Sequence, residues 1–445
     1  MILQTQRVLA ALLLLATAAH AADGDPDPTF SDDGQALSQW PYQFFGERVA
    51  VGPDGSVFHG STEVRGVEFN DDFAVVKFRA DGHLDTTFGF NGSRSVGFDL
   101  IEDGDDVLFG VFPLPAGKVL IAGTAQNTDD AMGYAPPALV LLLADGDVDP
   151  TFGDAGRRVI TTSPFSTEFA GRITQAIRLN DGKILFGGIC RDCAAEPQHV
   201  VMLLRVTAAG DPDPTFGGDG WATVSLPDQA EVRSLVVDWS GRIVIAGEME
   251  NEEDATEFPY AARLLPSGAF DPSFGAGAGY VVFSNLPDIL NGWDPNALAV
   301  DRDGSMLLAI DNQNGAGIIR ADADGNLDTS FADNGYLDLY REDGTGIEAL
   351  AIRSDHRIVA AGRIKHTGGG RDFFVARALP DGTLDPDFDN NGVIRIDMGS
   401  GDDDSAHAIA LSGGRPVVAG ISGPDRDTAA VLRLQSDLIF TDGVE

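Results

Sequence analysis

DGDPDPTFSDDG, residues 23–34, is an acidic phrase punctuated by glycine. Close variants return six times, as DGHLDTTFGFNG, DGDVDPTFGDAG, AGDPDPTFGGDG, SGAFDPSFGAGAG, DGNLDTSFADNG and DGTLDPDFDNNG. The phenylalanines of the seven copies are Phe30, Phe88, Phe152, Phe216, Phe274, Phe331 and Phe388, at intervals of 58, 64, 64, 58, 57 and 57 residues. Near-equal units of this length mark a repeat architecture, and the period is too long for one coil of a β-solenoid.

Within each unit the apolar residues alternate in short runs bounded by turn dipeptides, with no helical spacing over a helix-like length. The fifth unit reads NALAVD, RDG, SMLLAI, a loop, GIIRAD, ADG, NLDTSF, DNG and YLDLY, which is four strands. Asp-Gly and Asn-Gly tolerate positive φ and close hairpins in few residues. The same frame fits middle strands such as KVLIAG, KILFGG, RIVIAG, RIVAAG and PVVAG. The expected fold is all-β: a seven-bladed propeller of four-stranded antiparallel blades.

The phrase and its period resemble the delta-60 repeat of exported bacterial proteins. The resemblance covers the whole chain after residue 21 and implies propellers similar to those of the NHL repeat. It says little about activity.

The phrase is read as a structural corner: Asp-Gly turns the chain, Phe fills apolar space between blades, and the following Gly turns it again. Six units carry a basic residue five positions before the hairpin glycine or its counterpart: Lys77, Arg205, Arg263, Arg320, Arg377 and Arg433, with Leu141 interrupting the series. A charge on a blade covered on both faces needs a partner. The motif aspartates Asp85, Asp213, Asp271, Asp328 and Asp385 are the candidates, and snorkelling to water is the competing reading. Strand count further predicts that an N-terminal strand near Gln35 to Trp40 pairs with the strand around Ala430 to Leu434. That strand would complete the last blade, close the ring and leave no open edge.

The 445 residues carry 69 acidic and 30 basic side chains, a net charge of -39. Such a balance excludes nucleic acid as a partner and suits a protein or glycan partner, a basic surface in particular; solubility alone is the bland alternative. Residues 1–21 read as a secretory signal, with Arg7, an apolar run from Val8 to Ala18, and small residues around a cleavage point at Ala21. The expected organisation is a propeller over 22–437 and a short tail over 438–445, in a monomer that is secreted or periplasmic and does not insert into a membrane. Cys190 and Cys193 are the only cysteines, and in an oxidising compartment a local disulfide is expected ahead of a redox pair or half a metal site.

Asp322, Asp324 and Asp328 follow a D-x-D-G-x-x-D pattern that resembles part of the calcium loops of some integrin-like propellers. Arg320, however, stands where those loops carry their first Asp, and an Asx turn is the default. No cofactor is expected. His59, His83, His199, His356, His366 and His407 are scattered over different units, with no HxH, HExxH or GxSxG, so no catalytic constellation is legible.

In an up-and-down blade the second-to-third connections and the blade crossings share one end, and here these are the long, variable segments. That end collects Glu102, Asp103, Asp105, Asp106, Asp129, Asp130, Glu252, Glu253, Asp254, Asp402, Asp403 and Asp404, with Tyr134 and Trp293 among them. A non-enzymatic interaction module with an acidic loop-rich face is the first expectation. A carbohydrate-active or carbohydrate-binding propeller using Trp293 and Asp294 is the second, and a calcium-stabilised structural protein the third.

Overall fold

Four antiparallel strands, repeated seven times around an axis, make up the protein in the computed structural model. The structure describes residues 23–436 except 65–70, 103, 128–134, 162–169, 192–198, 251–255, 285, 287–293, 313–314, 341–344, 367–368, 390 and 400–402. Among the described residues there is no α-helix and no helix long and apolar enough to cross a membrane.

The first blade runs through Gln43–Val51, Val57–Val64, Asp71–Phe78 and Ser93–Val96, and the second through Asp106–Pro113, Val119–Ala125, Pro137–Leu142 and Arg157–Val159. Blades three to six repeat this order and start at Ala170, Gln229, Asp294 and Gly346. In the fourth, the inner strand is split into Gln229–Ala230 and Ser234–Val237. The seventh blade takes Ser405–Ser412, Arg415–Ser422 and Thr428–Arg433 from the end of the chain and its fourth strand, Gln35–Gln39, from the beginning. Gln35 faces Leu432 and Gln39 faces Thr428.

The break in the chain falls where every other blade has a hairpin. In the second blade Leu143 N donates to Asp147 O at 2.8 Å and Gly146 N to Leu143 O at 2.9 Å. In the seventh, Gln435 N donates to Asp25 O at 2.8 Å and Gly24 N to Gln435 O at 3.3 Å. Two chain ends thus rebuild one turn.

Buried side chains gather into seven apolar clusters, one between each pair of neighbouring blades. The phrase phenylalanines belong to them; six are fully buried and Phe152 is 9% exposed. Each of those six packs on the hairpin glycine of the next unit, where a Cβ would lie 2.7–3.2 Å from the ring: Gly82 on Phe30, Gly146 on Phe88, Gly268 on Phe216, Gly325 on Phe274, Gly382 on Phe331 and Gly24 on Phe388. These glycines also have φ between 80° and 94°, so both space and backbone exclude a side chain.

Every inner strand is irregular at one level, a bulge in six blades and the split in the fourth. The extra residue pushes a carbonyl toward the second strand, and this explains the Ala-Gly or Gly-Gly of that strand. A Cβ on Gly123, Gly188, Gly247, Gly362 or Gly420 would lie 1.8–2.0 Å from the oxygen of Val107, Arg172, Glu231, Gly346 or Ser405. In the first blade Ser61 stands there, and its Oγ donates to Phe45 O at 2.9 Å. Bulges also re-aim side chains, here toward the inner strand of the next blade: Thr174 Oγ1 donates to the Val232 carbonyl at 2.7 Å and Asn296 Nδ2 to the Ile347 carbonyl at 3.3 Å.

Candidate functional site

The residues of the repeated phrase build corners. In the third blade Asp213 Oδ1 accepts from Thr215 N and Oγ1 at 3.0 and 2.7 Å, and Oδ2 accepts from Arg205 Nε at 2.8 Å. The remaining guanidinium nitrogens donate to Thr215 Oγ1 and to the Pro266 carbonyl of the next blade, and the group lies 4.6 Å over the Phe216 ring. Arg263 does the same with Asp271, Ser273, Ala323 and Phe274, and Arg433 with Asp27, Thr29, Ala80 and Phe30. Arg320 pairs with Asp328 over Phe331, Arg377 with Asp385 over Phe388, and Lys77 with Asp85 over Phe88. One basic side chain therefore combines an ion pair, a cation–π contact and, in most corners, a bond to the next blade.

Leu141 leaves the second blade without that cation. Lys118, on the preceding hairpin, donates to Asp149 Oδ2 at 2.7 Å instead. The hairpin position is basic in four other units as well: Lys183 reaches Asp213 at 3.2 Å, Arg242 reaches Asp271 at 3.7 Å, Arg357 reaches Asp385 at 2.8 Å and Arg415 reaches Asp27 at 3.2 Å. Each motif aspartate thus faces at least one cation. Lys118, with Thr151, holds the Asp149 carboxyl at about 2. Burial works against ionisation of Asp213, yet Thr215, Lys183 and Arg205 keep it well below the usual carboxylate range.

Asp322, Asp324 and Asp328 do not converge. Asp322 Oδ1 accepts from Asp324 N and Asn326 N, both at 2.9 Å, which is an Asx turn, while Asp328 belongs to the corner of Arg320. Among the described residues no group of three acidic, histidine or cysteine side chains could hold a metal ion. Cys190 is buried and disulfide-bonded; Cys193 lies outside the described residues.

At the loop-rich end, Asp103, Asp129, Asp130, Glu252, Glu253, Asp254 and Asp402, with Tyr134 and Trp293, also lie outside the described residues. Asp294 opens the inner strand of the fifth blade. Glu102 and Asp403 are exposed. Asp404 is buried and accepts from Met398 N at 2.7 Å, so it seals a blade crossing.

Between the first two blades the acids crowd together. Asp71 and Asp72 open the third strand of the first blade, Asp106 opens the inner strand of the second, and Asp99 and Asp105 lie on the crossing between them. Asp71 N donates to Asp105 Oδ1 at 3.4 Å, Ser95 Oγ to Asp72 Oδ2 at 3.3 Å, and Phe98 N to Asp106 Oδ2 at 2.5 Å. Gly97 leaves no room for a side chain, since its Cβ would lie 2.4 Å from Asp72 Oδ1. Burial, then the charges of Asp105 and Asp72, push Asp71 up to about 6. Burial, only partly offset by the Phe98 N–H, combines with Asp72, Asp99 and Asp105 to push Asp106 up to about 7. Among the described residues no lysine or arginine pairs with Asp71, Asp99, Asp105 or Asp106. Asp71, Asp72 and Asp99 carried no signal in the sequence beyond being acidic, because the seam joins segments that belong to different units.

A cavity of about 150 Å³ opens at the opposite, turn-rich end, against Val300, Ile352 and Leu411. Two of its polar pairs are in contact: His356 Nδ1 lies 2.8 Å from Asp301 Oδ2, and the Arg302 guanidinium lies 4.6 Å over the Trp239 ring.

Compared with known proteins, residues 114–152, 240–274, 303–331 and 353–388 match the family described as "Domain of unknown function (DUF5122) beta-propeller". Each matched segment ends on a phrase phenylalanine, Phe152, Phe274, Phe331 or Phe388, so the matched pattern is the corner and the strands leading to it. No curated protein matches the sequence. Among solved structures, the polysaccharide lyase Uly1 is similar with a TM-score of 0.51 at 13% identity, covering 90% of this chain and 91% of that one. The β-propeller domain of the Trilobed protease from Pyrococcus furiosus, described as having an open velcro topology, gives 0.46 at 10% identity, over 91% of this chain and 100% of that one. A Trypanosoma rangeli sialidase mutant displaying trans-sialidase activity gives 0.42 at 11% identity, over 89% of this chain and 55% of that one. At these identities the likeness is one of fold: the chain is a seven-bladed β-propeller, similar in four of its repeats to a β-propeller family of unknown function.

Proposed function

We propose that the protein is an exported binding propeller with repeats of the delta-60 kind, and that its loop-rich end takes a cationic partner such as a lysine- or arginine-rich protein segment. The carrying observation is the seam between the first two blades, where Asp71 and Asp106 are held at about 6 and about 7 by burial and by neighbouring carboxylates. Carboxyls this close to each other create a local negative potential that an incoming ammonium or guanidinium group relieves. The corners offer no such opportunity, because their carboxylates are already paired.

The test is binding of a lysine-rich peptide, with its glutamate counterpart as control, to the parent and to Asp71→Asn/Asp105→Asn/Asp106→Asn. The parent should bind the lysine peptide alone, more weakly as salt rises. The triple variant should lose about tenfold or more in affinity, at 1.4 kcal/mol per factor of ten. Equal affinity for parent and triple variant, or equal binding of both peptides, sinks the proposal.

A further inference from the structure

On the axis, two bulged residues from neighbouring blades meet across the closure of the ring. His407 is the extra residue between Ala406 and Ala408 in the seventh blade, and Glu47 lies in the bulge between Phe45 and Arg48 in the first. His407 Nδ1 faces Glu47 Oε2 within hydrogen-bonding reach, and His407 Nε2 lies 2.7 Å from the Oγ of Ser405, two residues back on the same strand. Glu47 is 1% exposed. Although burial disfavours its charge, the His407 imidazole keeps it ionised, at about 2.

That order of contacts decides where the protons are. An ionised carboxylate only accepts, so Nδ1 of His407 carries the proton. In the neutral ring Nε2 then holds the lone pair, and the Ser405 hydroxyl donates to it. The nearby His59 does not compete: its Nε2 donates to the Gly420 carbonyl at 3.1 Å, and burial holds its pKa below the usual value. Ser405 and His407 are half-buried, on an inner strand whose next residues, Ile409 to Leu411, are also partly exposed. Among the described residues no other blade brings a histidine and a carboxylate together at its bulge; the equivalent residues are Phe109, Thr174, Arg233, Asn296 and Glu348.

We propose that Ser405, His407 and Glu47 form a nucleophilic acyl-transfer site, separate from the acidic seam and additional to its binding role, for carboxylic esters with an apolar acyl group. Ser405 Oγ bonds to the ester carbonyl carbon while its proton passes to His407 Nε2. The carbon–oxygen bond to the alcohol then breaks, and the alcohol leaves with that proton. Water attacks the acyl-serine, gives its proton to Nε2, and the carboxylic acid departs as the serine recovers its hydrogen. Glu47 is a positioning residue that fixes the tautomer.

The probe is a fluorophosphonate, which phosphonylates activated serines, followed by peptide mapping, with p-nitrophenyl butyrate turnover measured in parallel. The folded parent should be labelled at Ser405, and Ser405→Ala should lose both label and turnover. His407→Gln should slow labelling by about 100-fold or more. Glu47→Gln can donate its amide to Nδ1 and reverse the tautomer, so it should slow labelling by a factor on the order of 10³ while leaving melting close to that of the parent. Ser405→Cys should react with iodoacetamide faster than a free thiol. A folded parent that takes no label, label on another residue, or unchanged labelling in His407→Gln overturns the proposal.

Discussion

Aspartate plays opposite parts in two regions of this propeller. At the seven corners each motif carboxylate faces at least one cation, from the end of the third strand or from the hairpin before it, and Asp149 is held at about 2. At the seam between the first two blades, Asp71 and Asp106 face other carboxylates and stand at about 6 and about 7. The residue type is the same, and the difference lies in whether a partner was repeated with it. A charge that recurs with its counter-ion is scaffold; a charge that occurs once, among like charges, is where a ligand would do the neutralising.

The largest effect should follow from removing a whole corner. Residues 22–40 supply Asp27, Phe30 and the strand Gln35–Gln39, and Asp27 meets Arg433 at 2.8 Å from the other end of the chain. Their deletion, with export preserved, exposes an unpaired edge and leaves Arg433 without its carboxylate. The protein should lose cooperative melting and its last blade should be cut by protease; parent-like melting would show that the split corner is not equivalent to the other six. Joining residue 436 to residue 23 and opening the chain between Asp145 and Gly146 is the complement. Such a permuted chain should fold, since it restores one hairpin and splits another of the same kind.

Single corners come next. Arg377 is 1% exposed and serves Asp385, Phe388 and Asp23 at once. Arg377→Ala should cost about 3 kcal/mol in urea unfolding, because the buried Asp385 then keeps only Arg357 and the cation over Phe388 is lost. A smaller contrast isolates the hairpin cation. Lys118→Ala leaves Asp149 with no cation, whereas Lys183→Ala leaves Asp213 with Arg205. The first should lower the Tm clearly more than the second, and equal shifts would mean that the hairpin cations act independently of the strand cations.

Most of the fold is legible because it is written seven times. The phenylalanine spacing gives the blades, the turn dipeptides give the hairpins, and the basic residue five positions before each glycine marks the partner of the motif aspartate. The exception at Leu141 has its answer in the sequence too: PAGK, NDGK, SGR and HR place a lysine or arginine at the same hairpin position in Lys118, Lys183, Arg242 and Arg357. That second series is harder to see because the turns before it differ. The axis is not legible at all. Bulges leave no period in an inner strand, and Glu47 and His407 are 360 residues apart, joined only because the ring closes. The seam is hidden for a related reason, since Asp71 and Asp106 belong to different units and neither repeats.

The smallest effect is also the one that separates the two regions by sign. Asp106 and Asp71 lie above the unfolded value of about 3.9, so between roughly pH 4 and pH 7 the folded protein holds protons that the unfolded chain has released. Their contribution to stability therefore grows as pH falls from 8 toward 5. Asp149 lies below its unfolded value, so its contribution is complete above about pH 4 and disappears as pH falls toward 2. Asp106→Asn keeps an acceptor for Phe98 N and removes the crowded charge. It should raise the Tm at pH 8 by about 2–4 °C and leave it unchanged near pH 5. Asp149→Asn should do the reverse, lowering the Tm at pH 7 and converging with the parent near pH 2. If Asp106→Asn shifted the Tm equally at pH 8 and pH 5, like-charge crowding would not be what distinguishes the seam, and the contrast with the corners would reduce to packing.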